Sequence, residues 1–281
     1  MTTLTPDAPA PHAPASRSSV PRSSALRNGW ILTQRELLHW VRQPALPIFG
    51  LLFSIMLLLM FGFLFGGAIE VPGGGGYITF LLPGMFTLTM LFGLEGTMLA
   101  MSTDAAKGIT DRFRSMPIHS SAVALGRSGA DMASSILNLA VLLGGGLLIG
   151  WRITTDIGSA LLAVLLLLWL RFALLWIGIF LGLVFRGPGA TMAVQVLIWP
   201  IGFLSNVFVA PETMPGWLGA VAEWNPISAT ATATRQLFGN PTGITSGWLP
   251  DAALGMALGW PLLITLVFLP LSARAYRRLR R

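Results

Sequence analysis

Between Arg42 and Glu70 the chain carries no charged residue, and uncharged apolar stretches of this kind recur along its length. A helix needs about 20 mostly apolar residues to cross a bilayer, so these stretches constrain the fold more than any motif does. Only 10% of the residues are charged, against roughly 25% in a soluble domain, and the mean hydropathy is +0.72. An ordinary soluble enzyme and a disordered chain are both excluded. What remains is an all-α, polytopic membrane protein. Six transmembrane helices are expected, over residues 46–67, 77–101, 129–150, 158–185, 190–209 and 252–271.

The remaining charges orient these spans. Lys and Arg number 18 against 11 Asp and Glu, a net +7, and Lys107 is the only lysine. A basic balance can serve nucleic acid, but in so apolar a chain it belongs to the cytoplasmic membrane face, and no nucleic-acid partner is expected. All basic residues except Arg152, Arg171 and Arg235 fall on one side of the six-span arrangement. Both termini are therefore expected in the cytoplasm. Richness in Arg, Ala and Gly suggests a GC-rich bacterial genome, hence a multi-pass protein of the bacterial plasma membrane. Cysteine is absent, which excludes disulfides and thiol chemistry.

Four sections follow. Residues 1–24, rich in Pro, Ala, Ser and Thr, read as a disordered cytoplasmic tail rather than a signal peptide. Residues 25–43 form an amphipathic interface helix, with Leu26, Trp30, Leu37, Trp40 and Val41 on one side and Arg35, Glu36, His39 and Arg42 on the other. A solvated extension of the first span also accounts for that spacing. Residues 44–274 make the six-helix transmembrane domain, and 275–281 a basic cytoplasmic C-terminus.

Two connecting segments are more than turns. After the second span, Ser102 or Thr103 can cap a short helix. It would carry Asp104, Lys107, Asp111 and Arg114 on one face and Ala105, Ala106, Ile109 and Phe113 on another, ending at Pro117. This is the form of a docking element; a plain charged loop that fixes topology is the alternative. On the outer side, residues 210–250 are too long for a simple turn. Asn225 can cap a helix that has Pro226 in its first turn, and Trp217, Trp224 and Trp248 suit an interfacial belt. Two short helices are expected there, dipping into the outer leaflet as a re-entrant segment or packed on the spans as a surface loop.

Within the spans, four Gly pairs have the spacing that lets helices approach closely: Gly62 and Gly66, Gly146 and Gly150, Gly178 and Gly182, Gly255 and Gly259. Arg171 lies near the middle of the fourth span. An arginine there costs about 2.5–3.5 kcal/mol on insertion scales. The eleven leucines between Leu161 and Leu183, at about 0.5 kcal/mol each near the centre, outweigh it. The charge should face protein or water, and Glu95 of the second span is the expected counter-charge. Glu95, Asn138, Arg171, Gln195 and Asn206 are candidates for an intramembrane polar path; an inward-facing anchor and ordinary helix–helix hydrogen bonds explain them as well.

The chain has no G-x-x-x-x-G-K-[ST] phosphate loop and no G-x-S-x-G elbow. His12, His39 and His119 are too scattered for a zinc site, so no metal site is expected. A membrane enzyme acting on lipids is thereby disfavoured. An ion-driven secondary transporter remains a rival.

Several motifs together resemble a known family. Pro83-Gly84 opens the second span. The stretch DAAKGITDRFRSMPIHSSAVALGR from Asp104 holds Gly108, Arg112, Arg114, Pro117 and Arg127 in a G-x-x-x-R-x-R-x-x-P pattern with a basic start to the third span, followed by Asp131. The stretch MPGWLGAVAEWNPISATATATRQLFG from Met214 holds Pro215, Trp217, Asn225, Pro226 and Arg235. Over about residues 26–275 the chain resembles the type-2 ABC transporter permeases, in particular the daunorubicin/doxorubicin-resistance-like exporters. The resemblance implies a permease subunit that is not itself an enzyme, pairs with a second copy or a paralogue, and binds a separate ABC ATPase, in two copies. ATP and magnesium would sit on that partner, with no cofactor in this chain. Residues 104–117 would be the ATPase-coupling loop and 25–43 the interface helix beside it. The cargo would be a drug-like or lipid-like amphiphile leaving the cytoplasm, with antibiotic resistance or export as the outcome.

Overall fold

The computed structural model describes residue 34 and residues 45–67, 69–106, 120–185 and 188–278. The expected tail and interface helix, with Trp30, Arg35, Glu36 and Arg42, lie outside the described residues. So do Lys107, Gly108, Asp111, Arg112, Arg114 and Pro117. Every regular element among the described residues is helical.

Helix α1 spans Ala45–Leu59 and continues as a π-helical turn, Met60–Leu64. Then follow α2 (Tyr77–Ala106), α3 (Ser120–Leu148), α4 (Ile157–Val184) and α5 (Pro188–Phe203). A 3-10 turn, Pro211–Thr213, leads into α6 (Gly216–Trp224), α7 (Pro226–Phe238) and α8 (Leu249–Arg278).

Four stretches are long and apolar enough to cross a membrane: Tyr77–Asp104, Gly126–Leu148, Ile157–Val184 and Leu249–Tyr276. The first and fifth expected spans fall on shorter apolar helices, Leu52–Leu64 and Gly189–Phe203. Helix α5 ends early because its last carbonyls are taken by a side chain: Asn225 Nδ2 donates to Ile201 O at 2.9 Å and to Leu204 O at 2.8 Å. Helix α2 runs on to Ala106 instead of breaking after Met101. Thr103, read from sequence as a possible cap, donates its hydroxyl back to Leu99 O at 2.8 Å within the same helix. Asp104 is therefore half-buried on α2 itself.

Helix α2 is the axis of the bundle. Phe80, Leu81, Leu82, Met85, Phe86 and Leu88 are buried along it, and it packs against α4, α7, α5, α3 and α1. Its closest neighbour is α4. A Cβ on Gly178 would come within 2.8 Å of Leu94 O, and one on Gly182 within 2.7 Å of Met98 O. Residue numbers rise together along the contact, so α2 and α4 run parallel. Of the four Gly pairs, this one makes a backbone-to-backbone helix contact. Gly255 and Gly259 on α8 face open space.

Candidate functional site

Helix α4 starts cleanly. Asp156 is its N-cap, accepting from the Ser159 N–H at 2.9 Å and the Ser159 hydroxyl at 2.8 Å, and these bonds hold its carboxyl below the usual range. Four turns on, Arg171 is 3% exposed. Its Nε donates to Ser135 Oγ of α3 at 2.8 Å and its Nη2 to Thr97 Oγ1 of α2 at 2.8 Å. The same Nη2 lies 3.9 Å from Asp131 Oδ2. Thr97 Oγ1 donates to that oxygen at 2.6 Å, and Arg127 Nη2 sits 3.2 Å from Asp131 Oδ1. Ser135 Oγ donates to Asp131 O at 2.8 Å. Gly93 makes room, since a Cβ there would stand 2.7 Å from Arg171 Nε. A charge costly in hydrocarbon is thus bound by the two helices that flank its own, α2 and α3.

The counter-charge is Asp131, not Glu95. Residues 95 and 97 are about 200° apart around a helix, so the face that brings Gly93 and Thr97 to Arg171 turns Glu95 away. Glu95 is half-buried and has no hydrogen-bond or ion-pair partner among the described residues. Asp131 had a readable signal. Arg127, Asp131 and Ser135 are four residues apart and share one face of α3.

A second buried guanidinium sits near the other end of the bundle. Arg235 of α7 is 0% exposed. Its Nε donates to Phe80 O at 2.8 Å, and its Nη2 to Asn206 O at 2.9 Å and Val207 O at 3.1 Å. Its central carbon lies 3.7 Å over the Phe80 ring. Gly84 admits this fork, because a Cβ there would meet Arg235 Nη2 at 2.9 Å. Asn206 is held in turn: its N–H donates to Ser228 Oγ at 2.9 Å and its Nδ2 to Thr232 Oγ1 at 2.7 Å. Tyr77 donates its hydroxyl to Phe208 O at 3.1 Å. The non-helical stretch after α5 is thereby pinned to α2 and α7, which satisfies backbone groups that water cannot reach.

Asn225 joins these parts. Its Oδ1 accepts from the Ile227 N–H at 2.9 Å to cap α7, with Pro226 in the first turn, while its Nδ2 closes the end of α5. At the far end of α7, Gly239 takes a left-handed φ of 72°. The two short helices α6 and α7 thus occupy the segment where sequence placed them. Trp217 and Trp224 are exposed, and the Trp224 and Trp248 rings lie 5.1 Å apart. An open apolar depression of about 550 Å³ lies between the end of α5 and α6, lined in part by Ile201, Leu204, Val221 and Trp224. Glu212 anchors the loop beyond α7, accepting from the N–H groups of Thr245 at 2.6 Å and Ser246 at 2.7 Å. Those bonds, with the Thr245 hydroxyl at 2.8 Å, hold its carboxyl below its usual range.

The residues of the expected polar path do not meet in one place. Arg171 belongs to the α2–α3–α4 cluster and Asn206 to the Arg235 cluster. Asn138 is half-buried on α3, three residues past Ser135, and Gln195 is exposed on α5. No group of residues suited to hold a metal ion occurs among the described residues.

A bundle of long apolar helices, with buried arginines held by neighbouring helices, defines a multi-pass membrane protein. The family model of the ABC-2 type transporter matches residues 27–238, and the chain belongs to that family. It is 33% identical, over 244 residues, to the daunorubicin resistance ABC transporter permease protein DrrB1 of Streptomyces coeruleorubidus, a match covering 86% of this chain and 83% of that one. It is 24% identical over 244 residues to the putative transport permease ycf38 of Cyanophora paradoxa, covering 85% and 84%.

Proposed function

We propose that this chain is the transmembrane subunit of an ATP-driven exporter that moves drug-like or lipid-like amphiphiles out of the cytoplasm, with drug resistance as the outcome. The observation that carries the reading is the similarity to a daunorubicin resistance permease along 86% of the chain. Hydrolysis of ATP belongs to a separate ABC ATPase bound in two copies, because no phosphate loop occurs in this sequence. The functional unit holds a second copy of this chain or a paralogue.

In this reading the chain crosses the plasma membrane six times with both termini inside, as the distribution of Arg and Lys favours. Helices α1 and α5 complete the crossings made by α2, α3, α4 and α8. The coupling loop holds Asp104, Lys107, Gly108, Asp111, Arg112, Arg114 and Pro117, and sits in a groove of the ATPase. Residues 25–43 lie beside it as the interface helix. Residues 210–250 form the outer re-entrant segment that closes the path.

The test is affinity purification of the chain with its candidate ATPase from mild detergent, scoring co-elution and vanadate-sensitive hydrolysis. Co-elution that is lost in the Arg112→Glu/Arg114→Glu double variant supports the reading. A chain that elutes stable and alone overturns it.

A further inference from the structure

The α2–α5 contact is tight at one end and open at the other. The Phe92 and Trp199 rings are 5.0 Å apart, and a Cβ on Gly202 would come 2.6 Å from Leu88 Cδ1. Numbers fall on one helix as they rise on the other, so the pair is antiparallel. One turn further, Glu95 (three residues past Phe92) and Gln195 (four before Trp199) stand at the same level. There the helices part. Gly96, Leu99, Met192, Gln195 and Val196 are exposed, and nothing lies within 4 Å of where a Gly96 Cβ would be. Aromatic rings border this opening at its tight end. Phe53 of α1 sits 6.2 Å from Phe92 and 5.9 Å from Trp199, edge to face.

Glu95 does not suit a lipid-facing surface, since a charged side chain at mid-span costs about 2.5–3.5 kcal/mol on insertion scales. Its charge is unmatched among the described residues. A carboxylate beside aromatic rings is a pairing that favours a cation, through charge on one side and ring quadrupoles on the other. We propose that the opening between α2 and α5, with Glu95 and Gln195 at its sides and Phe53, Phe92 and Trp199 at its end, binds lipophilic cations. Glu95 is then the residue that makes the permease selective for cargo bearing an amine or another fixed positive charge. This rests on the exporter reading for its biological meaning and on the geometry for the binding itself.

The test uses two ions of one shape and opposite charge, tetraphenylphosphonium and tetraphenylborate. Saturable binding to the full chain in phosphatidylcholine nanodiscs is measured against empty discs. The wild type should bind the cation saturably and the anion not. Glu95→Gln should weaken the cation about tenfold or more, Glu95→Asp should retain most of the affinity, and Trp199→Leu should weaken it severalfold. Equal cation affinity in wild type and Glu95→Gln overturns the proposal, as does equal binding of the two ions by the wild type. So does a Glu95→Gln variant that changes only the oligomeric mass, which would assign Glu95 to contact with a second copy. Glu95-dependent cation binding by a chain that recruits no ATPase supports the site while removing the exporter reading, so the two failures separate.

Discussion

Thr97 stands between Arg171 and Asp131, accepting from the guanidinium at 2.8 Å and donating to the carboxylate at 2.6 Å. The direct approach of the two charges is longer, 3.9 Å. The ion pair of α3 and α4 is thus bridged by a hydroxyl of α2, and each member needs the other two.

Asp131→Asn leaves Arg171 buried without a counter-charge and should cost about 3–5 kcal/mol. After Arg171→Gln, Asp131 keeps Arg127 at 3.2 Å, so that loss should be smaller, and Thr97→Val should cost about 1–3 kcal/mol. Thermal unfolding in detergent reads these losses. The Arg171→Gln/Asp131→Asn double variant should lose clearly less than the sum of its singles, as coupled residues do. Strict additivity would contradict the bridge.

The Gly pairs separate by position. Gly182→Ala should destabilise by about 1–3 kcal/mol, because the new methyl meets Met98 O and Met101 Cβ at 2.7 Å with a backbone atom that cannot turn aside. Gly93→Ala should also be harmful, since Arg171 is held by its other partners. Gly255→Ala and Gly259→Ala should not lower the melting temperature of the isolated chain.

Arg235→Lys is not conservative here. A lysine ammonium cannot reproduce the fork that serves Phe80, Asn206 and Val207 at once. A loss of about 3 kcal/mol is expected from the orphaned carbonyls. Hydrogen exchange should rise first in residues 204–210, before α2 and α4 loosen.

Glu212 gives the loop beyond α7 an acid limit. Its carboxyl is held below its usual 4.5, so its contribution is complete above that value and fades as pH falls through the lower, folded one. Protection of the Thr245 and Ser246 amides, measured against the intrinsic exchange rate at each pH, should fall on that acid descent in the wild type. Glu212→Gln should show the reduced protection already at neutral pH. Exchange identical to wild type there would remove Glu212 as the anchor.

What could be read from sequence was what depends on local pattern. Asn225 before Pro226 marks a helix start because one supplies the cap and the other the φ angle. Arg171 had to face inward because its span is otherwise uncharged and apolar. Its partner was misplaced by matching charge to charge along the membrane depth, without the angle between residues 95 and 97 around α2. As a site residue, Arg235 entered only through family resemblance. Its partners are backbone carbonyls of Phe80, Asn206 and Val207, and no residue type advertises a carbonyl. The lengths of α1 and α5 were overestimated in the same way: hydropathy continues past Leu64 and Phe203, while the helices stop where turns and the Asn225 side chain intervene.

Asn225 also decides how its end of the bundle can move. Its amide holds the Ile201 and Leu204 carbonyls at the end of α5 with one edge and the Ile227 N–H of α7 with the other. The helices share a pivot of a few atoms instead of having separate ends. A tilt of α5 carries α7 with it, and through Arg235 it tugs on the Phe80 turn of α2. This end of the bundle is geared: three helices turn together or none does.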